Sequence, residues 1–167
     1  MLKEIAIDRL SLNPFTTIGK EWMLIAAGDS KSSNMMTASW GGMGIMWGKP
    51  VTMMVIRPQR YTIEFVEKHD YYSLCIFDEE YRDALNFCGT KSGRDFDKAK
   101  ETGLTTVFDA EAPYFAEAKL VFICKKLYKQ KLDPACFIDS EIDGRMYPTH
   151  DYHERFVGEV VKVLAKQ

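Results

Sequence analysis

The chain is short of the features that announce most functional classes. No apolar run approaches the roughly 18 residues that a membrane-spanning helix needs, so no membrane role is expected. The first residues, MLKEIAIDRLSLNP, are charged throughout and lack the apolar centre of a secretory signal, which points to the cytoplasm. Basic residues are not in excess. Lys and Arg number 22 against 24 Asp and Glu, which argues against a nucleic-acid partner but leaves room for a small anion held by a local basic cluster. The four cysteines, Cys75, Cys88, Cys124 and Cys136, contain no C-x-x-C pair and are expected to be reduced thiols. No G-x-x-x-x-G-K-[ST] phosphate loop is present. The GGMG at 41–44 is not a dinucleotide fingerprint, because a loop and then a strand, not a helix, are expected after it. His150 and His153 form H-D-Y-H, but no third ligand group stands out by spacing, so no metal is expected.

What remains is a chain of 167 residues, 46% hydrophobic and 28% charged, long enough to bury a core as one domain, 1–167. Strands are expected at Glu21–Gly28, Asn34–Trp40, Val51–Arg57, Tyr72–Phe77, Glu117–Tyr128 and Arg155–Ala165. The last could be helical by periodicity, but its valines and Gly158 favour β. A turn at Asp29–Ser33 joins the first two, and Pro58, lacking an N–H, stops the third. Short helices are expected after Thr62, as its N-cap, at Glu79–Cys88 ending on Gly89, and at Asp95–Thr102 ending on Gly103. Six or seven strands with three short helices, not alternating, exclude a doubly wound parallel sheet. They fit a mainly β fold, an antiparallel barrel with peripheral helices.

One stretch, residues 34–62, concentrates the chemistry. Its beginning, NMMTASW, is small and polar, with peptide groups available to the polar edge of a flat ring and Trp40, Met43, Met46 and Trp47 as polarizable walls. An apolar core strand has no need of Asn34, Thr37 and Ser39. Its end, RPQRYT, puts Arg57, Arg60 and Thr62 at a strand-to-helix junction. Two guanidinium groups and free helical N–H groups there can hold a phosphate, although the same residues also suit a solvated strand end. Lys91 and Ser92, between Gly89 and Gly93, form a second polar arm. The combination suits a ligand with a planar apolar end and an anionic end.

Four motifs then carry a resemblance: N-x-M-T-A-S-W at 34–40, R-P-x-R-Y-T at 57–62, K-S-G-x-D-F-D-K at 91–98 and H-E-R-F-V-G-E-V at 153–160. In this order they resemble the flavin reductase-like FMN-binding family, nearest its flavoredoxin type. The resemblance implies an FMN-binding split β-barrel that forms a homodimer. Asn34, Met36, Thr37, Ala38, Ser39 and Trp40 would line the isoalloxazine ring. Arg57, Arg60, Tyr61 and Thr62 would surround the ribityl phosphate, with Lys91 and Ser92 nearby, Phe96 and Lys98 ordering that loop, and His153 beside the flavin or an incoming nicotinamide. The implied activity is an oxidoreductase passing electrons from NAD(P)H through FMN to a small-molecule or protein acceptor. The alternative is a non-catalytic FMN-binding electron-transfer or sensor protein fed by a protein donor. The flavin would carry the chemistry, so no acid–base pair is expected. The loop GGMGIMWGKP departs from the family pattern, and substrate preference does not carry over.

Overall fold

The computed structural model describes residues 1–167. In chain order the elements are β1 (Leu2–Ile5), α1 (Pro14–Thr16, continued by a π-helical turn Thr17–Glu21), β2 (Met23–Gly28), β3 (Ser33–Ala38), β4 (Gly41–Met46), β5 (Lys49–Ile56), α2 (Thr62–Lys68), β6 (Tyr71–Ile76), α3 (Arg82–Thr90), α4 (Lys98–Thr102), β7 (Thr106–Val107), β8 (Tyr114–Phe115), β9 (Leu120–Lys131), α5 (Ser140–Met146) and β10 (Glu154–Lys166). Eight strands form one antiparallel sheet in the order β3-β2-β6-β9-β10-β5-β4, with β1 also paired to β10. β7 and β8 form a separate pair.

The strand order dictates the shape. β3 and β4 lie at opposite ends of the sheet, yet Ser39 and Trp40 alone separate them in the chain. Three peptide steps reach at most about 11 Å, so the sheet has to curl until its two edges face each other. No ladder joins those edges. The result is the expected split β-barrel, with the NMMTASW segment crossing the split.

Both faces of the sheet are covered, which explains why β2 is buried along its whole length. Met23, Ile25 and Ala27 point into the barrel with Met54, Ile56, Tyr72, Phe122 and Phe156, and α2 adds Ile63, Phe65 and Val66. Leu24 and Ala26 point outward with Cys75, Val121 and Ile123, under Leu85 and Cys88 of α3 and Phe115 of β8.

Three expectations are corrected. Residues 41–46 are strand β4, not a loop. They pair with β5 through a two-residue turn at Trp47 (φ 52°) and Gly48 (φ 69°), the backbone that matches strand twist in a tight hairpin. A tryptophan in that turn hides it from a search for Asn-Gly or Asp-Gly. Thr62 is not the cap of α2. It is the first helical residue, buried, and its hydroxyl accepts a 2.9 Å bond from Asn34 Nδ2. The helix read at Glu79–Cys88 opens as a 3₁₀ turn, Glu79–Tyr81, and α3 then runs through Gly89 to Thr90, because Lys91 N bonds back to Phe87 O at 2.9 Å.

Gly158 marks an irregularity in the β10–β9 register, and a Cβ there would press on the buried Tyr72 ring at 2.8 Å. Tyr72 is held in turn by a 2.9 Å bond to Thr52 Oγ1 and has no room to retreat. Gly158→Ala is expected to cost about 1–3 kcal/mol of stability as overpacking. Thermal or denaturant unfolding measures it, and an unchanged midpoint would refute this packing constraint.

Candidate cofactor site

The site lies where the split meets the end of β5. Pro58 ends that strand, Arg60 N turns back onto Arg57 O at 3.0 Å, and α2 begins at once. This turn carries Arg57, Gln59, Arg60 and Tyr61 past β3 on one side and the last turn of α3 on the other.

Two clefts open there. The smaller, about 150 Å³, is lined by Asn34, Met36, Gln59, Arg60, Tyr61, Thr62, Thr90, Lys91, Ser92, Gly93 and Lys98. The larger, about 250 Å³, is lined by Met36, Thr37, Ala38, Ser39, Trp40, Val55, Arg57, Arg60, Gly89 and His153. Met36 and Arg60 belong to both, so the two are halves of one groove. All twelve binding residues expected from the sequence, and His153, line it.

The smaller half is cationic and has no counter-charge. Its walls carry Arg60, Lys91 and Lys98 but no Asp or Glu, and none of the three makes an ion pair. The cations rest on the carbonyl end of α3: Arg60 donates to Gly89 O at 2.7 Å and Cys88 O at 3.4 Å, and Lys98 Nζ to Cys88 O at 3.2 Å. These carbonyls hold the charges in place without neutralising them. Burial lowers the pKa of Arg60 and lowers that of Lys98 to about 8, with the thiol of Cys88 and the nearby guanidinium as smaller influences on Lys98. A buried lysine beside a half-buried arginine, with no carboxylate, fits an anion that arrives from outside. Helix α2 is seven residues long, so the cations outweigh its dipole. The backbone is fitted as closely: a Cβ on Gly93 would collide with the Asn34 carboxamide, itself fixed by Thr62.

The larger half is flatter and less charged. Thr37 Oγ1 donates to Leu85 O and ties β3 to α3, and Gly89 lets the two approach, since a Cβ there would sit 3.3 Å from Thr37 Cβ. Trp40 leans on His153 with ring centroids 5.3 Å apart. His153 Nδ1 shares a 2.8 Å hydrogen bond with Tyr147 Oη, and burial, helped by the Arg57 charge, lowers its pKa to about 4. The ring is therefore neutral at pH 7.

Arg57 lies on this ring-sized side and not in the smaller cleft. Its Nη1 donates to Asp151 Oδ2 at 2.5 Å and its Nη2 to Met146 O at 2.9 Å, while Tyr147 stacks 5.1 Å from it. Gln59 reaches the same carboxylate at 2.7 Å, and these bonds from Gln59 and Arg57 hold Asp151 well below the usual carboxylate range. Arg57 thus anchors the segment that carries α5, and Arg60, Lys91 and Lys98 are the cations left for an anion. Phe96 lines neither cleft. It packs edge-on against Phe87 at 5.6 Å, with Lys91 Nζ 5.8 Å above its ring.

Sequence reasoning missed Val55, Gln59 and Thr90 as wall residues. It gave Lys98 only a loop-ordering role. Val55 was within reach, because a strand residue two before Arg57 shares its face.

A split barrel whose edges are bridged by a groove with one cationic and one ring-sized half defines a recognisable class. Residues 15–167 match the model of the flavin reductase like domain, and the chain belongs to that family. No curated protein sequence matched. Among solved structures the chain is similar to an FMN-binding domain of a flavin reductase-like enzyme from Shewanella baltica OS155 (TM-score 0.70, 16% identity, 99% of this chain and 77% of that one). It is also similar to the flavoredoxin of Desulfovibrio vulgaris (Miyazaki F) (TM-score 0.68, 20%, 99% and 78%). A third is the NADH:FAD oxidoreductase of Streptomyces globisporus C-1027 in complex with NAD and FAD fragments (TM-score 0.64, 16%, 87% and 74%). At these identities the likeness is one of fold.

The Lys98 shift has a definite sign. Between pH 8 and 10.5 the unfolded lysine keeps a proton that the folded one has released, so the Lys98 contribution to ligand-free stability should rise with pH across that window. Raised thiol pKa values at Cys75, Cys88 and Cys124 act in the opposite sense above pH 9, so the Lys98 share is read as a difference: unfolding midpoints of the wild type should gain with pH on those of Lys98→Met, which keeps the buried stem without the charge. Parallel profiles would show that Lys98 is not desolvated.

Proposed function

We propose that this chain is a single-domain FMN-binding oxidoreductase that passes electrons from NADH or NADPH to an acceptor. The observation that carries it is the junction at Met36 and Arg60, where an uncompensated cationic pocket opens into a ring-sized cleft. FMN has a phosphate for the first and a tricyclic ring for the second, joined by a polyol. The donor set fits: Arg60, Lys91 and Lys98 supply charge, Ser92 and Thr62 hydroxyls, and the peptide edge of Thr37–Ser39 donors and acceptors.

A bound FMN would supply a ring that accepts a hydride and releases electrons singly or in pairs. The protein's part is binding and orientation. Arg60 and Lys98, held by carbonyls from one helix end, fix the anion with little rearrangement. Trp40 and His153 wall the other half, and the Tyr147 hydrogen bond sets the orientation of the imidazole. Keeping His153 neutral leaves the wall without a second fixed cation beside Arg57, which suits an electron donor arriving at the open face. Family membership and the likeness to an NADH:FAD oxidoreductase support the nicotinamide as donor.

We further read the assembly as a homodimer. The β4–β5 hairpin leaves Ile45, Met46 and Trp47 exposed, and Trp47 meets the exposed Tyr128 at 6.0 Å, an apolar group at the barrel surface that a second copy would cover. Free thiols at Cys75, Cys88 and Cys124, all buried, suit the cytoplasm. A second reading, an FMN electron carrier reduced by a protein donor, draws support from the lack of any G-x-G-x-x-G motif.

Purified protein should take up FMN, and NADH or NADPH should bleach it under anaerobic conditions. FMN uptake without bleaching by either nucleotide would select the carrier. Arg60→Ala should weaken FMN binding about tenfold to over a hundredfold, since a lost charge-assisted bond costs about 1.5–3 kcal/mol. Affinity should also fall above pH 8 as Lys98 loses its proton. Unchanged affinity of Arg60→Ala in a low-salt titration would remove Arg60 from the site.

A further inference from the structure

A second cavity, of about 420 Å³, backs onto the ring-sized cleft and shares Ser39 and Trp40 with it. Its walls are Phe15 and Ile18 from the helical corner after Asn13, Met43 from β4, Trp40, and the bare backbones of Gly19 and Gly42. No charged residue lines it, and Ser39 contributes the single side-chain hydroxyl. We propose that this cavity is the acceptor site of the reaction proposed above, and that it takes a neutral, planar, apolar acceptor of the quinone class.

Four observations converge on it. The first is position. Trp40, 43% exposed, is common to both cavities, so a flat molecule in the second lies one indole from the first. The second is chemistry. The groove's own cationic half provides for an anion, whereas this cavity offers an indole, a phenyl ring, a thioether and aliphatic surface, which favour an uncharged π-system. The third is that glycine backbone forms part of the wall, and at Gly19 there is room for a side chain, because a Cβ there meets no atom within 4 Å. The fourth is that the corner is built at a conformational cost. Residues 17–21 form a π-helical turn, and Trp22 follows at φ 68°, a region that L-residues with bulky side chains avoid. Arg82 holds that arrangement, stacking 4.3 Å from the Trp22 ring and donating to Lys20 O at 2.9 Å. Phe15 is left 86% exposed on the rim.

The net reaction balances. The reduced nicotinamide gives up a hydride, and the quinone gains that electron pair with its proton, plus one proton from solvent, to leave as the hydroquinone.

The test is calorimetric titration of menadione, a neutral naphthoquinone, into wild-type protein, Gly19→Phe and Phe15→Ala, each with and without saturating FMN. Gly19→Phe grows into open space and replaces a poor helix former, so it should fold. It should weaken menadione binding by at least about tenfold by filling the cavity. Phe15→Ala, at an exposed position, should weaken it about three- to tenfold by removing one aromatic contact. FMN affinity should stay within about twofold of wild type in both, because neither residue lines the groove. Equal menadione affinity in all three proteins, or no binding to the wild type, would overturn the proposal. So would a parallel loss of FMN, which would make the cavity part of the cofactor groove. If the wild type fails to bind FMN, the proposed function and the acceptor role fall together. The titrations without FMN would then still decide whether the cavity holds a neutral planar ligand.

Discussion

A buried lysine and a half-buried arginine set against the carbonyl end of one helix, with no carboxylate in reach, are the constraint from which the rest of this site follows. Arg60 and Lys98 both donate to Cys88 O, and Arg60 also to Gly89 O. Removing charge from water costs several kcal/mol per ion unless it is paired, and dipoles offset only part of that. A fold aimed at stability alone would place an acid here or an apolar residue. The Cys75 and Cys124 thiols, pushed by burial up to about 12, show what happens elsewhere in the core: the group simply stays neutral. Arg60 has no such option at physiological pH. Its position therefore points to a partner outside the chain.

The barrel supplies the precision. β3 and β4 lie at opposite edges of the sheet and two residues apart in sequence, so Ser39 and Trp40 are fixed at the seam by chain connectivity, without a ladder. On one side of Trp40 is the groove, and on the other the neutral cavity under Phe15. Arg57 does quieter work. By binding Asp151 it ties the segment that carries α5 to β5, the segment whose Tyr147 holds His153 at the wall of the groove. Its charge also helps keep His153 neutral.

Much of this was legible in the sequence because the relevant residues are local. NMMTASW is most of β3 with the two residues that follow it, and RPQRYT is one turn with the first residue of α2, so each group stays together in the fold. Other features needed the third dimension. Asp151 lies 94 positions from Arg57, and nothing in either neighbourhood announces the pair. Lys98 stands in a recognisable motif, but its desolvation depends on α3 closing over it. Strand β4 escaped because its glycines read as loop and its turn is Trp-Gly; pairing with β5, not propensity, makes it a strand. Thr62 looked like a cap because its position before an apolar run allows one, yet Asn34, 28 residues earlier, takes its hydroxyl.

The central claim is that the cationic half of the groove exists for a phosphate attached to a ring. Comparing FMN with riboflavin in equilibrium titrations at low salt tests it most directly, because the two ligands share ring and polyol and differ only in the phosphate. FMN should bind about tenfold to a few hundredfold more tightly, the equivalent of one strong charge-assisted contact, and Arg60→Ala should erase most of the difference. Equal affinities for the two ligands in the wild type would contradict the claim.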